Sequence, residues 1–244
     1  MPLRVGFDLD GTVADMYFAL RREAIAIFGD EVLRKAEPQS TRPQDAIKAE
    51  EAAEQKADSD DTVLHELHLT ARQQSELWDH VKKVENFWST LPELEPGIIS
   101  RIARAAADRR WEVIFLTTRP STAGELVQLQ SQRWLQAHGF AYPSVYVVHR
   151  SRGKIAEALG LDAFVDDRPE NCLDIAVDSK AKVILVWHGN MKDVPPGARR
   201  LGIRPVATIT EALALLEQLD DIRQQPASLM RSIKRVIGRG TSDI

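Results

Sequence analysis

One cysteine in 244 residues, Cys172, excludes an internal disulfide and points to a reducing compartment. It follows an acidic stretch and reads as a small buried apolar residue rather than a nucleophile. Positive charge is not in excess: 32 Lys and Arg stand against 36 Asp and Glu, a formal net charge of −4. That balance weighs against wholesale electrostatic capture of nucleic acid, though not against a small nucleotide substrate. The N-terminus lacks a basic region followed by an apolar signal segment, and no run of about 18 apolar residues occurs, so a soluble cytoplasmic protein is expected. Walker A and dinucleotide-binding fingerprints are missing, and no internal repeat is found. What remains is a chain with 43% hydrophobic residues, enough for a real core and long enough for one α/β domain plus a smaller inserted one.

The stretch Val5-Gly6-Phe7-Asp8-Leu9-Asp10-Gly11-Thr12 organises the rest. Leu3, Val5 and Phe7 suit a short buried strand, and Gly11 breaks it, which leaves two carboxylates where a parallel strand would end. In open α/β sheets ligands bind at that edge. Asp8 and Asp10 are two apart and would face the same way on a continuing strand, unless the turn at Gly11 re-aims the second. Two carboxylates at 4 Å repel by roughly 4 kcal/mol in a partly screened site unless a cation lies between them. Oxygen-only ligands favour Mg²⁺. Taken alone, the stretch is equally compatible with a solvated Asp-Gly turn.

Apolar spacing from Asp15 to Phe28 predicts a helix stopped by Gly29. A polar segment from Glu37 to Asp61 follows, with Thr41 and Pro43 as a helix start and little to bury. Thr70 to Gln73 fits a capping box ahead of a helical stripe through Leu77, Val81, Val84 and Trp88. No strand signal interrupts residues 15–91, so this region reads as a helical insert. Helices and strands then alternate. Strands are expected at Trp111 to Leu116, Ser144 to Val148, Ala163 to Val165, Lys182 to Trp187 and Val206 to Ile209, and further capping boxes at Thr122 to Glu125 and Thr208 to Glu211. Lys154 to Leu159 reads as a short helix. Continuous apolar strands alternating with helices imply a parallel sheet covered on both faces. His65 and His68 lack a third ligand and read as a solvated helix face. In the tail from Pro226, Leu229, Ile233, Val236 and Ile237 share one helical face against Arg231, Lys234, Arg235 and Arg239; it reads as a docked or frayed terminal helix, with a membrane surface or a partner as the alternative.

Three strands end in oxygen-bearing side chains: Asp8 and Asp10, Thr117 and Thr118, Asp166 and Asp167. With Lys154 at a helix start between the last two, they would converge on one crevice. Their order resembles the four motifs of the haloacid dehalogenase-like (HAD) superfamily, over residues 5 to about 187. The resemblance implies a Rossmann-like parallel-sheet core, assigned to residues 1–14 and 92–222, and an all-helical cap at 15–91; the residues themselves set apart a basic amphipathic tail at 223–244. It also implies a Mg²⁺-dependent phosphomonoester hydrolase working through an aspartyl-phosphate. Asp8 would be the nucleophile and Asp10 the general acid and base; Asp8, Asp10 through its carbonyl, and Asp166 would hold the metal. Thr117, Thr118 and Lys154 would bind phosphoryl oxygens, with Asp167 in support.

Within that superfamily the first motif and its helical insert look most like the 5′(3′)-deoxyribonucleotidases, which makes a nucleotide the leading substrate and Tyr17, Phe18, Trp78, Phe87 and Trp88 the aromatics able to sandwich a base. Met16 stands where an aromatic is expected after Asp15. Thr117 to Pro120 and Asp166 to Pro169 also resemble the phosphatase domains of polynucleotide kinase-phosphatases, and sugar or metabolite phosphates are a further class. Acidic residues in the insert, such as Glu50, Glu51 and Asp58, disfavour an oligonucleotide groove. Arg119 and Arg168 would meet a second anionic group or, equally, pair with nearby acids. A phosphate- or partner-binding module without catalysis is the alternative of a different class.

Overall fold

A computed structural model describes residues 2–30, 67 and 69–224. The segment 37–61, the His65 and His68 pair and the tail beyond Gln224 lie outside the described residues, while Arg223 and Gln224 belong to the last helix. β1 (Arg4–Asp8) leads into α1 (Met16–Phe28), and α2 (Ala71–Val81) and a 3₁₀ turn at Phe87–Ser89 precede α3 (Ile98–Arg109). β2 (Glu112–Thr117), α4 (Val127–Ala137), β3 (Ser144–Val147), α5 (Arg152–Leu159), β4 (Ala163–Asp166), α6 (Pro169–Asp178) and β5 (Lys182–Val186) follow. α7 (Pro196–Arg200), β6 (Arg204–Val206) and α8 (Ile209–Gln224) complete the described chain.

The six strands form one sheet in the order β3-β2-β1-β4-β5-β6, every neighbour parallel. β1 is central, with β2 and β3 on one side and the later strands on the other, so the strand order reverses beside it. Register then decides what meets at the rim. Asp8 pairs with Leu116, one residue before Thr117, and Phe7 pairs with Val165, one residue before Asp166. Val5, Phe7, Phe115 and Val165 are fully buried, as strands covered on both faces require. Two apolar clusters line the sheet, one around Phe7, Phe115 and Trp134, the other around Phe164, Leu185 and Cys172.

Local signals hold where tertiary contacts agree with them. Asp15 caps α1 by accepting from Phe18 N at 2.8 Å, Gly29 ends it at φ +77, and Thr70 with Gln73 completes the expected capping box of α2. The box expected at Thr122 does not form. Gly124 sits at φ +91, Ala123 N donates to Lys82 O, and Glu125 N donates to Asn86 Oδ1, so the segment is pinned to the loop after α2 and α4 starts only at Val127. Val206 ends β6 whereas Ile209 opens α8, because Thr208 Oγ1 accepts from Glu211 N at 3.1 Å and starts the helix there. No described helix is long and apolar enough to cross a membrane.

Candidate active site

Asp8, the last residue of β1, is buried beside Asp166 and Asp167, and carboxylate oxygens of all three lie within 4.8 Å of one another. Arg152 is the counter-charge. Its Nη1 donates to Asp8 Oδ1 at 2.5 Å and to Asp166 Oδ2 at 2.7 Å, with only 6% of the side chain exposed. The other oxygen of Asp166 accepts from Arg168 N at 2.9 Å and Asn171 Nδ2 at 3.1 Å. Thr12 Oγ1 donates to Asp167 Oδ1 at 2.8 Å and stands 3.4 Å from Asp8 Oδ2. Gly11 is required here: its φ is +79, and a Cβ on it would run into the Asp167 carboxylate.

Three carboxylates against one guanidinium leave an excess of negative charge in a place with little water. Burial, more than Asp166 and Asp10, raises the Asp8 carboxyl to about 7, against the lowering pull of Arg152. Burial, with Asp8 and Asp166, likewise pushes Asp167 well above the usual carboxylate range. An all-oxygen donor set carrying uncompensated charge suits a hard divalent cation, and Asp8, Asp166 and Asp167 are the side chains that would hold it.

Asp10 is re-aimed by the turn at Gly11. Its carboxylate leaves the cluster and accepts from Thr117 Oγ1 at 3.0 Å and from Arg119, with Nε at 2.8 Å and Nη2 at 2.7 Å. Arg119 is itself fixed: Nη1 donates to Ser131 Oγ at 2.9 Å, and the guanidinium carbon lies 4.9 Å from the ring centroid of Trp88. Planar forks of this kind are the stronger charge-assisted bonds.

Several expected positions fall elsewhere. Lys154 is exposed and does not reach the cluster; the buried cation is Arg152, two residues earlier. Ser151 explains the offset. Its hydroxyl accepts from Lys154 N at 3.2 Å and bonds the Asp174 carboxylate at 3.0 Å, while Gly153 N donates to Asp174 Oδ2 at 2.9 Å. Ser151 thus caps α5 and puts Arg152 first in the helix, where a side chain leans back toward the sheet edge. That cap was the available sequence signal.

Beside the cluster opens a cavity of about 650 Å³, lined by Asp8, Asp10, Thr118, Arg119, Arg152 and Asp167 on its polar side and more extensively by apolar groups. Of the expected aromatics, Tyr17 lines it. Trp88 borders it but is fully buried, its Nε1 donating to Pro120 O at 2.8 Å. Phe87 is fully buried in the core, Trp78 packs against that core, and Phe18 faces solvent at 55% exposure. The sequence reading missed Trp187, at the end of β5, which lines the cavity together with His188, whose Nε2 lies 2.7 Å from Gly11 O. A second cavity, about 520 Å³, is lined by Ile27, Glu76, His80 and Lys83 and contains none of these acids. Cys172 is fully buried, as expected of a small core residue.

The chain matches no protein-family model and no curated protein sequence. Solved structures are similar. A predicted phosphatase from Clostridium acetobutylicum superposes with a TM-score of 0.52 at 13% identity, covering 89% of this chain and 99% of that one. A dehalogenase in an intermediate complex gives 0.50 at 15% identity, over 88% and 96%. A haloacid dehalogenase-like family hydrolase from Xanthomonas campestris gives 0.48 at 18%, over 92% and 98%. On the first two, and on the six-stranded parallel sheet with its flanking helices, the chain has a Rossmann-like α/β fold shared with phosphatase and dehalogenase structures.

Proposed function

We propose that this protein hydrolyses phosphomonoesters by passing the phosphoryl group first to Asp8 and then to water, with Mg²⁺ as cofactor and a nucleotide as substrate. The observation that carries the proposal is the convergence of Asp8, Asp166 and Asp167 within 4.8 Å around Arg152, with Asp10 held separately next door. Bound at those carboxylates, a divalent cation supplies Lewis-acid charge compensation between an anionic nucleophile and an anionic ester.

The remaining work falls to the chain's own groups. Asp8 attacks phosphorus as a carboxylate, and Arg152, already on Asp8 Oδ1, stays close enough to meet the oxygens of the transferred group. Asp10 gives a proton to the leaving oxygen and later takes one from water; Thr117 and Arg119 hold its carboxylate in place meanwhile. Thr12 fixes Asp167. Phosphoryl transfer asks mainly for such positioning and charge stabilisation. A cavity of about 650 Å³ bordered by Tyr17 and Trp187 supports a substrate of nucleotide size.

Hydrolysis of p-nitrophenyl phosphate by the purified chain tests the reaction. Turnover with Mg²⁺, lost with chelator and lost in Asp8→Asn, is expected; turnover retained by Asp8→Asn overturns it. A panel of 5′- and 3′-nucleotides, oligonucleotide 3′-phosphates and sugar phosphates tests the substrate class, and sugar phosphates as the best substrates would overturn the nucleotide reading.

A further inference from the structure

Three arginines border the cavity, and they differ in what they have to bind. Arg119 is occupied by Asp10 and Ser131, and Arg152 by Asp8 and Asp166. Arg168 is fixed mainly at its root. Its backbone N–H donates to Asp166 Oδ1 at 2.9 Å, which fixes where the side chain leaves the main chain, two residues past the metal-side acid. The side chain is 14% exposed, and its Nε is enclosed with no hydrogen-bond acceptor among the described residues. The nearest carboxylate, Glu170 Oε2, stands 3.8 Å away on a side chain that is 66% exposed.

An enclosed N–H donor without an acceptor loses the hydrogen bonds it would make in water, and a 3.8 Å ion pair to an exposed carboxylate returns little of that. The other acids lining the cavity are engaged: Asp10 with Arg119, Asp8 with Arg152, Asp167 with Thr12, Asp15 with the first turn of α1. That leaves Arg168 only the long ion pair to the largely exposed Glu170. The cavity is also far larger than a phosphoryl group needs, and its lining includes, besides Arg168, the apolar Pro169, Trp187 and Pro195. A leaving group held in this cavity shares it with Arg168. A guanidinium there matches anionic oxygens better than neutral ones, because its planar fork makes two charge-assisted bonds to a carboxylate or phosphate.

We propose that Arg168 receives a second anionic group carried by the leaving group, so that the preferred substrates are phosphomonoesters bearing a carboxylate or a further phosphate. This rests on the phosphomonoesterase reading above and narrows its substrate class. Arg168 then acts in specificity: it contributes to discrimination between leaving groups, while Asp8 and Asp10 carry the reaction.

The test compares matched esters on the full chain with Mg²⁺. Phenyl phosphate is paired with 4-carboxyphenyl phosphate, and adenosine 5′-monophosphate with adenosine 3′,5′-bisphosphate. The first pair reports a carboxylate, the second a phosphate. The wild type is expected to favour the two-anion member of at least one pair by about tenfold in kcat/KM, mostly through KM. Arg168→Gln is expected to remove that ratio, and Arg168→Lys to keep part of it as a point charge without the fork. A ratio near one in the wild type, or an unchanged ratio in both variants, overturns the proposal. Equilibrium binding of the same esters to Asp8→Asn, with and without Arg168→Gln, needs no turnover. Arg168-dependent preference in binding without hydrolysis of any ester by the wild type would sink the phosphatase reading and leave the anion site standing; hydrolysis without the preference does the reverse.

Discussion

Replacing Asp8 by Asn should make the metal-free protein more stable as well as inactive. The Asp8 carboxyl is raised from 3.8 to about 7 in the folded state, chiefly by burial. For an acid, a raised folded value means that the folded state binds the proton more tightly than the unfolded chain does. The Asp8 contribution to stability is therefore most favourable below pH 4, falls as pH rises through about 4 to 7, and stays unfavourable above that window. At 1.36 kcal/mol per pH unit the cost of holding Asp8 ionised above pH 7 is at most roughly 4 kcal/mol, and relaxation of the site will reduce it to about 2 kcal/mol. Asn keeps the oxygen that accepts from Arg152 Nη1, and Arg152 retains Asp166. At roughly 2–4 °C per kcal/mol, Asp8→Asn should melt about 4–8 °C above wild type at pH 8 in chelator. The gap should close toward pH 4. Mg²⁺ should raise the Tm of the wild type more than that of the variant, since it relieves repulsion that the variant no longer has. Thermal melts from pH 4 to 8, with chelator or Mg²⁺, measure all of this. A variant that melts at or below wild type at pH 8, or that follows the same pH slope, would refute the electrostatic account of the cluster.

Other substitutions separate the residues that meet at the rim from those that do not. Arg152→Ala leaves two buried carboxylates without their partner and should cost about 3–5 kcal/mol in metal-free stability and at least about 100-fold in kcat, whereas exposed Lys154→Ala should stay within about 0.5 kcal/mol; melts and p-nitrophenyl phosphate assays compare them. Gly11→Ala combines positive φ with a collision at the Asp167 carboxylate, so a loss of roughly 2 kcal/mol or more in denaturant unfolding and a large fall in turnover are expected. Arg119→Met should lower kcat with little change in KM, because the guanidinium holds Asp10 rather than the ester.

Much of this arrangement was legible in the sequence because it is written in strands. Apolar runs ending at Asp8, Thr117 and Asp166 are local patterns, and a parallel sheet carries their ends to one edge whatever lies between. The cation was misplaced because only order and charge marked it. Lys154 and Arg152 are both near a helix start, and the choice between them depends on Ser151 capping α5 against Asp174, a contact 23 residues away. The direction of Asp10 depended on the φ of Gly11 and on Arg119, which periodicity does not encode. Thr122 carried the letters of a capping box, but backbone bonds to Lys82 and Asn86 overruled them. The aromatics divided on burial: Phe87 and Trp88 are in the core, Trp88 at its border with the cavity, Tyr17 lines the cavity, and a further ring there, Trp187, comes from the end of a core strand.

The central claim is that the side chain of Asp8 takes the phosphoryl group. Acid quench of the chain during turnover of p-nitrophenyl phosphate, followed by peptide mass spectrometry, reads it directly, and Asp10→Asn should slow the water step and enrich the adduct. The account predicts one phosphoryl group on the peptide containing Asp8, absent from Asp8→Asn. Sustained turnover with no adduct on that peptide, or an adduct on another residue, would contradict it.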